Sequence, residues 1–327
     1  REPFLPGMSS STPGSGAASA PPGIRLYLIR HGESSWNRAK RRFNPFGVLR
    51  GVDHSLSPAG VDQCQGLRRR ILEARGGGGR PGYSPPEAES SGEAAGEEDG
   101  AREEDEAFHS AVLLDPATRR VSSPLTRAVM TAAFAVAPEL PAGVPHDWPL
   151  LMMPEARETS AHPITGRDSI GSPPARIEGR VQDRMSYLWP RSLQREDPVP
   201  SPRLDAEGLE EVWWTVNEPP EALRQRAKAF LERCLALIPA DCGQGDGHGA
   251  PPAKMASVVA TSHSKFIRAL FRNCCMSKDS LSVALADRPI ANCGCLVVDV
   301  FPCREGSSPS EGPVMAHPRL LFNTPPP

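Results

Sequence analysis

The amino-acid sequence predicts an α/β protein with a mostly parallel sheet and helices on both faces of that sheet. Short runs of β-branched and other apolar residues alternate with longer segments whose apolar residues recur at helical spacing, and this alternation predicts the fold class. The chain has 37 prolines and 29 glycines among 327 residues, and only 39% of its residues are hydrophobic. This composition predicts disordered insertions within that fold. We therefore expect roughly 200 residues of folded domain.

The first predicted strand carries the first chemically interesting residues. Residues 1–22 are rich in Ser, Pro, Gly and Ala, and we expect them to be disordered. Order begins with a strand over residues 24–29, a run dense in apolar and β-forming residues. The strand continues directly into Arg30, His31 and Gly32, where the glycine permits a tight turn.

A helix and an acidic insertion follow. Ser57 before Pro58 is typical of a helix start, because Ser caps free N–H groups and Pro lacks one. The helix is predicted to end at four glycines, residues 76–79. The low-complexity segment 76–107 predicts a solvated insertion, and a recruitment segment is the alternative. Its acidic residues are Glu97, Glu98, Asp99, Glu103, Glu104, Asp105 and Glu106.

The remaining chain is predicted to complete one domain over residues 23–301. A Gly/Pro linker is expected at 243–252 and a loose Pro-rich tail at 302–327, whereas 160–212 has no clear periodicity. The other predicted elements are a strand at 119–122, a helix from about 124, a strand at 148–153, a helix opening at 217–220, a strand at 255–261, a helix after 264 and a strand at 293–301.

Charge and composition exclude several classes of function. The net charge of −2 and the pI of about 6.5 give no global field for nucleic acid or anionic membranes. No run approaches the ~20 apolar residues of a membrane span. The eight cysteines lack C-x-x-C spacing, which predicts reduced thiols in a cytoplasmic protein. Because the chain begins at Arg1, a targeting peptide upstream is still compatible with this expectation.

Two histidines follow predicted strands at the point where α/β proteins bind ligands. His31 follows the strand at 24–29 and His263 follows the strand at 255–261. Arg127 lies in the first turn of the helix after the 119–122 strand, where helix N–H groups also favour anions. Each residue alone is more often structural, so the prediction depends on their combination.

Four segments in order resemble the motifs of the histidine phosphatase (phosphoglycerate mutase-like) superfamily. Residues 28–37 read LIRHGESSWN, and residues 51–60 resemble the family's G-x-x-D-x-x-L-[ST]-x-x-G stretch. Residues 123–132 resemble its second-arginine motif, and residues 262–264 its second-histidine motif. The resemblance implies a phosphoglycerate mutase-like fold over 24 to about 301.

The resemblance also implies a mechanism. Arg30, Arg127 and His263 would hold the phosphate oxygens while His31 attacks phosphorus and forms a phosphohistidine. Arginine suits this role because its fork of donors is permanently charged. A neutral imidazole is a competent nucleophile near pH 7, and nearby arginines would keep it neutral. No metal and no cofactor is expected, because cationic side chains supply the charge stabilisation.

The sequence leaves alternatives open for the proton donor to the leaving group and for one further contact with phosphate. The family places an acidic residue after the third strand, and here Glu158 and Glu155 are both available. Glu158 is preferred because it closes the segment, as in the family. Asn37 would donate a hydrogen bond to phosphate, or else would be an ordinary loop residue.

Four functions are considered, of which hydrolysis of a phosphoester through a phosphohistidine is preferred. The substrate is expected to be a phosphorylated small molecule or a phosphoprotein. Mutase (isomerase) activity is less expected, because Glu158 is followed by TSAH and His263 lies in SHSK, unlike the mutases. A non-catalytic phosphate-binding protein is the alternative class. A metal-dependent hydrolase using His31, Asp53, His54 and His263 is the weakest alternative. By the resemblance, residues 160–212 would form a cap that influences substrate choice.

Overall fold

The computed structural model describes residues 23–44, 52–76, 95–140, 147–159, 170–188, 201–215, 217–238, 255–303 and 312–327. Within these ranges the chain forms one seven-stranded sheet in the order β4-β3-β2-β5-β1-β6-β7. The strands are β1 Ile24–Arg30, β2 Arg119–Ser122, β3 Asp147–Met152, β4 Ser201–Asp205, β5 Ala256–Ser262, β6 Cys295–Phe301 and β7 Val314–Leu321.

Five neighbouring strands are parallel, which confirms the predicted fold class. β5 lies between β1 and β2, and β3 and β4 continue the parallel pairing outward. Only β6 and β7 run antiparallel to their neighbours within the described part of the sheet. In register, Arg30 lies beside Ser262 and Ser122 beside Thr261, so the carboxyl ends of three adjacent strands meet at one edge.

Helices cover both faces, as predicted. The residues of β1 alternate, with Tyr27 and Ile29 in one apolar cluster and Leu26 and Leu28 in the other. The helices are α1 Ser35–Arg41, α2 Pro58–Arg75, α3 Ala95–Leu114, α4 Thr126–Ala135, α5 Pro174–Leu188, α6 Pro220–Ala236, α7 Ser264–Cys274 and α8 Ser280–Asp287. The first cluster is completed by α2 to α5, and the second by α6 to α8.

α3 begins at residue 95, inside the segment predicted as a solvated insertion, and continues to Leu114. Leu113 and Leu114 are buried in the first apolar cluster. The hydroxyl of Ser110 donates to the carbonyl oxygen of Ile71 on α2, at 2.5 Å. A few residues at the C-terminal end of α3 therefore attach this helix to the domain, although its acidic composition is typical of a helix exposed to solvent.

The segment from residue 302 was predicted as a loose tail, and this prediction is wrong because β7 pairs with β6 at the edge of the sheet. Met315 and Leu321 are buried. The pairing shifts register between Val297 and Asp299, opposite His317 with φ 54° and Pro318. An edge strand with a bulge tolerates proline, which lacks the N–H of a regular ladder. The folded domain therefore extends beyond residue 301.

The segment without clear periodicity contributes both a helix and a strand. α5 packs in the first apolar cluster, and β4 pairs with β3. The described part of 160–212 thus belongs to the main fold, and its role as a cap stays a prediction. The predicted disorder at 1–22 and the linker at 243–252 lie outside the described residues. None of the described helices is long and apolar enough to cross a membrane.

Candidate active site

His31 and His263 meet at the carboxyl edge of the sheet, directly after β1 and β5. The backbone N–H of His31 donates to the carbonyl of Ser262 at 3.0 Å, which fixes the two strand ends together. The imidazole centroids are 4.9 Å apart. Both side chains are buried, with 4% of His31 and none of His263 exposed. The structure therefore brings together the two histidines that the sequence singled out.

The orientation of His31 leaves one nitrogen for chemistry. Its Nδ1 lies 2.6 Å from the carbonyl oxygen of Gly32, so Nδ1 carries the proton and donates. Nε2 then has a lone pair, which accepts a 3.3 Å hydrogen bond from Nε of Arg127. Burial, and then the charges of Arg127 and Arg30, lower the pKa of His31 well below its usual value. The imidazole is consequently neutral and nucleophilic at pH 7.

Gly32 permits the close packing that holds this turn. A Cβ at this position would lie 2.6 Å from the carbonyl oxygen of Gly60 and within 3.3 Å of the thiols of Cys64 and Cys293. The Gly32 N–H donates to the hydroxyl of Thr131 on α4 at 3.1 Å. A side chain here would displace α2 and shift the nucleophile.

Arg127 is held at the N-terminus of α4 by a buried carboxylate. Asp53 is fully buried, and its two oxygens accept hydrogen bonds from the N–H and hydroxyl of Thr126, each at 2.7 Å. One of these oxygens also accepts from Ser172 at 2.8 Å. Asp53 therefore caps α4, whose N-cap residue Leu125 makes no side-chain cap bond.

Arg30 is positioned by the loop before β6. Its Nη1 donates to the carbonyl of Ile290 at 2.5 Å, and its backbone N–H donates to Gly294 at 3.1 Å. Its buried Nε has no hydrogen-bond partner within the described residues. Burial lowers the pKa of Arg30, whereas the nearby Glu158 carboxylate raises it. A buried guanidinium N–H without a partner is expected where an anion binds.

His263, like Arg30, has one nitrogen with a protein partner and a second buried nitrogen without one among the described residues. Nε2 lies 2.8 Å from the hydroxyl of Ser123, which follows β2. Nδ1 is buried and has no partner among the residues that the structure describes. Its pKa is lowered, first by burial and then by the charge of Arg127. In the tautomer in which the Ser123 hydroxyl donates to Nε2, Nδ1 carries a proton that it can donate to an anion.

The two candidate proton donors have different surroundings. Glu158 is buried at the carboxyl end of β3, where its carboxylate acts on Arg30 and accepts from the N–H of Thr159 at 2.9 Å. Glu155 instead pairs with Arg233 of α6 at 3.0 Å. Glu158, the residue preferred from the sequence, thus lies near Arg30, whereas Glu155 is paired with Arg233, and the role of Glu158 as proton donor stays a prediction.

Asn37 has a structural partner. Its Oδ1 accepts from the backbone N–H of Ser34 at 3.2 Å and from the Ser34 hydroxyl at 2.8 Å. Together these residues form the capping box of α1. The structure therefore gives Asn37 a capping role, and its predicted bond to phosphate stays a prediction.

The set considered for a metal-dependent hydrolase does not assemble. Asp53 directs both oxygens at Thr126, and Nδ1 of His54 lies 3.4 Å from the Ser35 hydroxyl. In the described part of the chain, no group of three or more His, Cys, Asp or Glu side chains is arranged to hold a metal ion.

For several residues that support the site, the sequence did not indicate the role that the structure gives them. Asp53 lies in a motif that the sequence analysis quoted, but nothing local indicated that it caps α4. Ser123 was likewise part of a motif without a stated contact. Arg226 of α6, described below, gave no signal because its partners are backbone carbonyls about 70 residues away.

Comparisons with known proteins found similar structures and no matching family. No family model matches the chain, and no curated protein matches it. A mycobacterial glucosyl-3-phosphoglycerate phosphatase is 15% identical, with 92% of this chain and 100% of that chain covered and a TM-score of 0.42. A phosphoserine phosphatase from Entamoeba histolytica is 16% identical, with 89% and 94% covered and a TM-score of 0.37. A phosphoglycerate mutase from Bacillus anthracis is 13% identical, with 85% and 88% covered and a TM-score of 0.39.

All three are enzymes named for phosphate esters. Similarity of this extent does not transfer an activity or a substrate to this chain.

Proposed function

We propose that this protein is a metal-independent phosphomonoesterase of the histidine phosphatase type, with a phosphohistidine intermediate on His31. The observation that carries the proposal is the pair of buried imidazoles 4.9 Å apart, between the guanidinium groups of Arg30 and Arg127. The neighbouring arginines disfavour the protonated form of both imidazoles. An anionic substrate would offset this arrangement of positive charge.

The phosphoryl group would occupy the space where buried donors lack protein partners. Nε of Arg30 and Nδ1 of His263 are such donors within the described residues. Arg127 would exchange its contact with Nε2 of His31 for a phosphoryl oxygen, which exposes the lone pair of the nucleophile. Fixed donors of this kind stabilise the charge on the equatorial oxygens of the transition state.

Two chemical steps complete the reaction. In the first, Nε2 of His31 forms a bond to phosphorus as the bond to the ester oxygen breaks, and Glu158 gives its proton to the leaving oxygen. In the second, Glu158 as carboxylate takes a proton from water, whose oxygen attacks phosphorus and breaks the P–N bond. His31 is then neutral again, and inorganic phosphate leaves.

Hydrolysis is preferred to transfer between two positions of a glycerate. The residues after Glu158 and around His263 depart from those of the mutases, as described above. The names of the similar structures include both phosphatases and a mutase, which is compatible with either reaction. We propose a phosphorylated small molecule or a phosphoprotein as substrate.

The experiment is hydrolysis of p-nitrophenyl phosphate in EDTA over about pH 5–8, with wild type and His31→Ala. We expect wild type to turn over and the variant to lose at least about 10³-fold in kcat, as for other removed nucleophiles. Acid-labile, alkali-stable labelling by a radioactive phosphoester should appear in wild type only. Equal activity of the two proteins, or activity abolished by EDTA, would contradict the proposal. If neither protein turns over but both bind inorganic phosphate, the non-catalytic binding function replaces it.

A further inference from the structure

The segment that carries Glu158 is a short turn rather than a regular element. We call residues 154–158 the Glu158 turn; it begins with a 3₁₀ helix at Pro154–Ala156 after β3. One carbonyl in this turn, that of Ala156, accepts from the hydroxyl of Ser262 at 2.7 Å. Two others, those of Glu155 and Arg157, point toward α6.

Arg226 of α6 binds both of these carbonyls with one nitrogen. Its Nη1 donates to Glu155 at 2.5 Å and to Arg157 at 3.0 Å. The other edge of its guanidinium binds the carboxylate of Glu218 in a bidentate manner, at 2.7 and 2.6 Å. Arg226 is only 7% exposed, so each of these bonds forms away from bulk water.

Further contacts fix the plane of this guanidinium. It stacks over the ring of Phe266 on α7, 4.9 Å from the centroid. Glu218 also accepts from Nη2 of Arg157 at 3.1 Å, so the same carboxylate holds a second residue of the Glu158 turn. Burial of an arginine is costly unless its donors are satisfied, and here carbonyls and a carboxylate satisfy them.

We propose that Arg226 is a positioning residue for proton transfer, which fixes the Glu158 turn so that Glu158 reaches the leaving oxygen. This inference rests on the proposed function. Its structural basis is that Arg226 binds the backbone on both sides of Ala156, immediately before Glu158. A lysine could not replace it fully, because a single ammonium cannot span two carbonyls and a carboxylate in one plane.

Arg233 provides a matched comparison on the same helix. It also joins α6 to the Glu158 turn, through an ion pair with Glu155 at 3.0 Å. Its contact is with a side chain rather than with the backbone, and its own side chain is 34% exposed. Loss of Arg233 therefore removes a link between the same two segments without releasing the backbone that carries Glu158.

The experiment compares two kinds of substrate in Arg226→Met, Arg226→Lys and Arg233→Met. An alkyl phosphate such as glycerol phosphate needs a proton on its leaving oxygen, whereas 2,4-dinitrophenyl phosphate leaves as a stable anion. For Arg226→Met we expect kcat/KM to fall about 10- to 100-fold for the alkyl ester, part of what general acid catalysis contributes, and about threefold or less for the dinitrophenyl ester. Arg226→Lys should show the same selectivity with a smaller loss. Arg233→Met should show no selectivity between the two esters.

Two reference variants separate this inference from the proposed function. Glu158→Gln should show the selective loss in full, and His31→Ala should be inactive on both esters. If these two behave as expected but Arg226→Met loses the two esters equally, or neither, Arg226 only attaches α6 and the inference is overturned. If His31→Ala keeps its activity, the proposed function fails instead. Thermal melting reports folding, and Arg226→Lys decides the question if Arg226→Met does not fold.

Discussion

Two clusters with buried histidines lie on this sheet in the described part of the chain, and in only one of them are the charged groups that shift the histidine pKa all cationic. At the carboxyl edge, His31 and His263 lie beside Arg30 and Arg127. In the middle of β1, on the face covered by α3, the Nδ1 of His109 lies 2.8 Å from the hydroxyl of Tyr27.

The partners of His109 complete a structural network rather than a site. Its Nε2 lies 3.3 Å from a carboxylate oxygen of Asp105, and Arg319 of β7 pairs with the same carboxylate at 2.7 Å. Burial lowers the pKa of His109 to about 4, although Asp105 raises it. Burial thus depresses the pKa of all three histidines. The charge of the neighbours distinguishes the site from the network, because Asp105 opposes Arg319 and Arg25 at His109, whereas no carboxylate is among the groups that shift the pKa of His31 or His263.

The largest expected effect comes from removal of one of the cations at the site. Arg127→Met should lower kcat/KM for phosphoesters by about 10²–10³-fold, because a fixed donor to the transition-state oxygens is lost. It should also move the acid limb of the pH profile to higher pH, because the charge of Arg127 is one of the causes that lower the pKa of His31. Arg319→Met, which removes the arginine of the other cluster, should leave kcat/KM unchanged. Equal losses in the two variants would mean that the two clusters do not differ in function.

The second expected effect is on the stability of the protein at acidic pH, and it depends on the buried His109. Its pKa is about 4 in the folded protein and near 6.5 in the unfolded chain, so the unfolded state takes up a proton first as the pH falls. Stability should therefore decrease between pH 6.5 and 4, by at most about 3 kcal/mol from this residue. His31 and His263 add to the slope in the same direction.

His109→Gln isolates the contribution of that one histidine. Urea unfolding of wild type and variant at several pH values between 4 and 6.5 should give a shallower slope for the variant. The kcat/KM of the variant at pH 7 should equal that of wild type. A slope identical to wild type would show that His109 is not buried as a neutral group.

The sequence predicted the elements whose signals are local. The strands before His31 and His263 are rich in apolar and β-branched residues, and the residues after them form motifs that can be read within ten positions. Their meeting at one edge follows from parallel pairing alone. These features were sufficient to predict the fold class, and they singled out four residues that the structure brings together, whose roles stay predictions: His31, His263, Arg30 and Arg127.

The features that were missed depend on partners far along the chain. α3 is acidic over most of its length, and its docking depends on Ser110, Leu113 and Leu114 near its end. β7 contains a proline and is stabilised by pairing with β6. Asp53 reaches Thr126, 73 residues away, and no periodicity indicates such a contact.

The smallest expected effect comes from a single hydroxyl in the structural network. Tyr27→Phe removes the donor to Nδ1 of His109 and leaves that buried nitrogen without its 2.8 Å partner. We expect a loss of about 1–2 kcal/mol in the free energy of unfolding, typical of an unsatisfied buried polar group. Because Tyr27 lies in the middle of β1, three residues before Arg30, kcat/KM should not change. Urea unfolding and the p-nitrophenyl phosphate assay measure the two quantities on the same preparation. A loss of activity without a loss of stability would show that the network at β1 acts on the site, and would remove the distinction between the two histidine clusters.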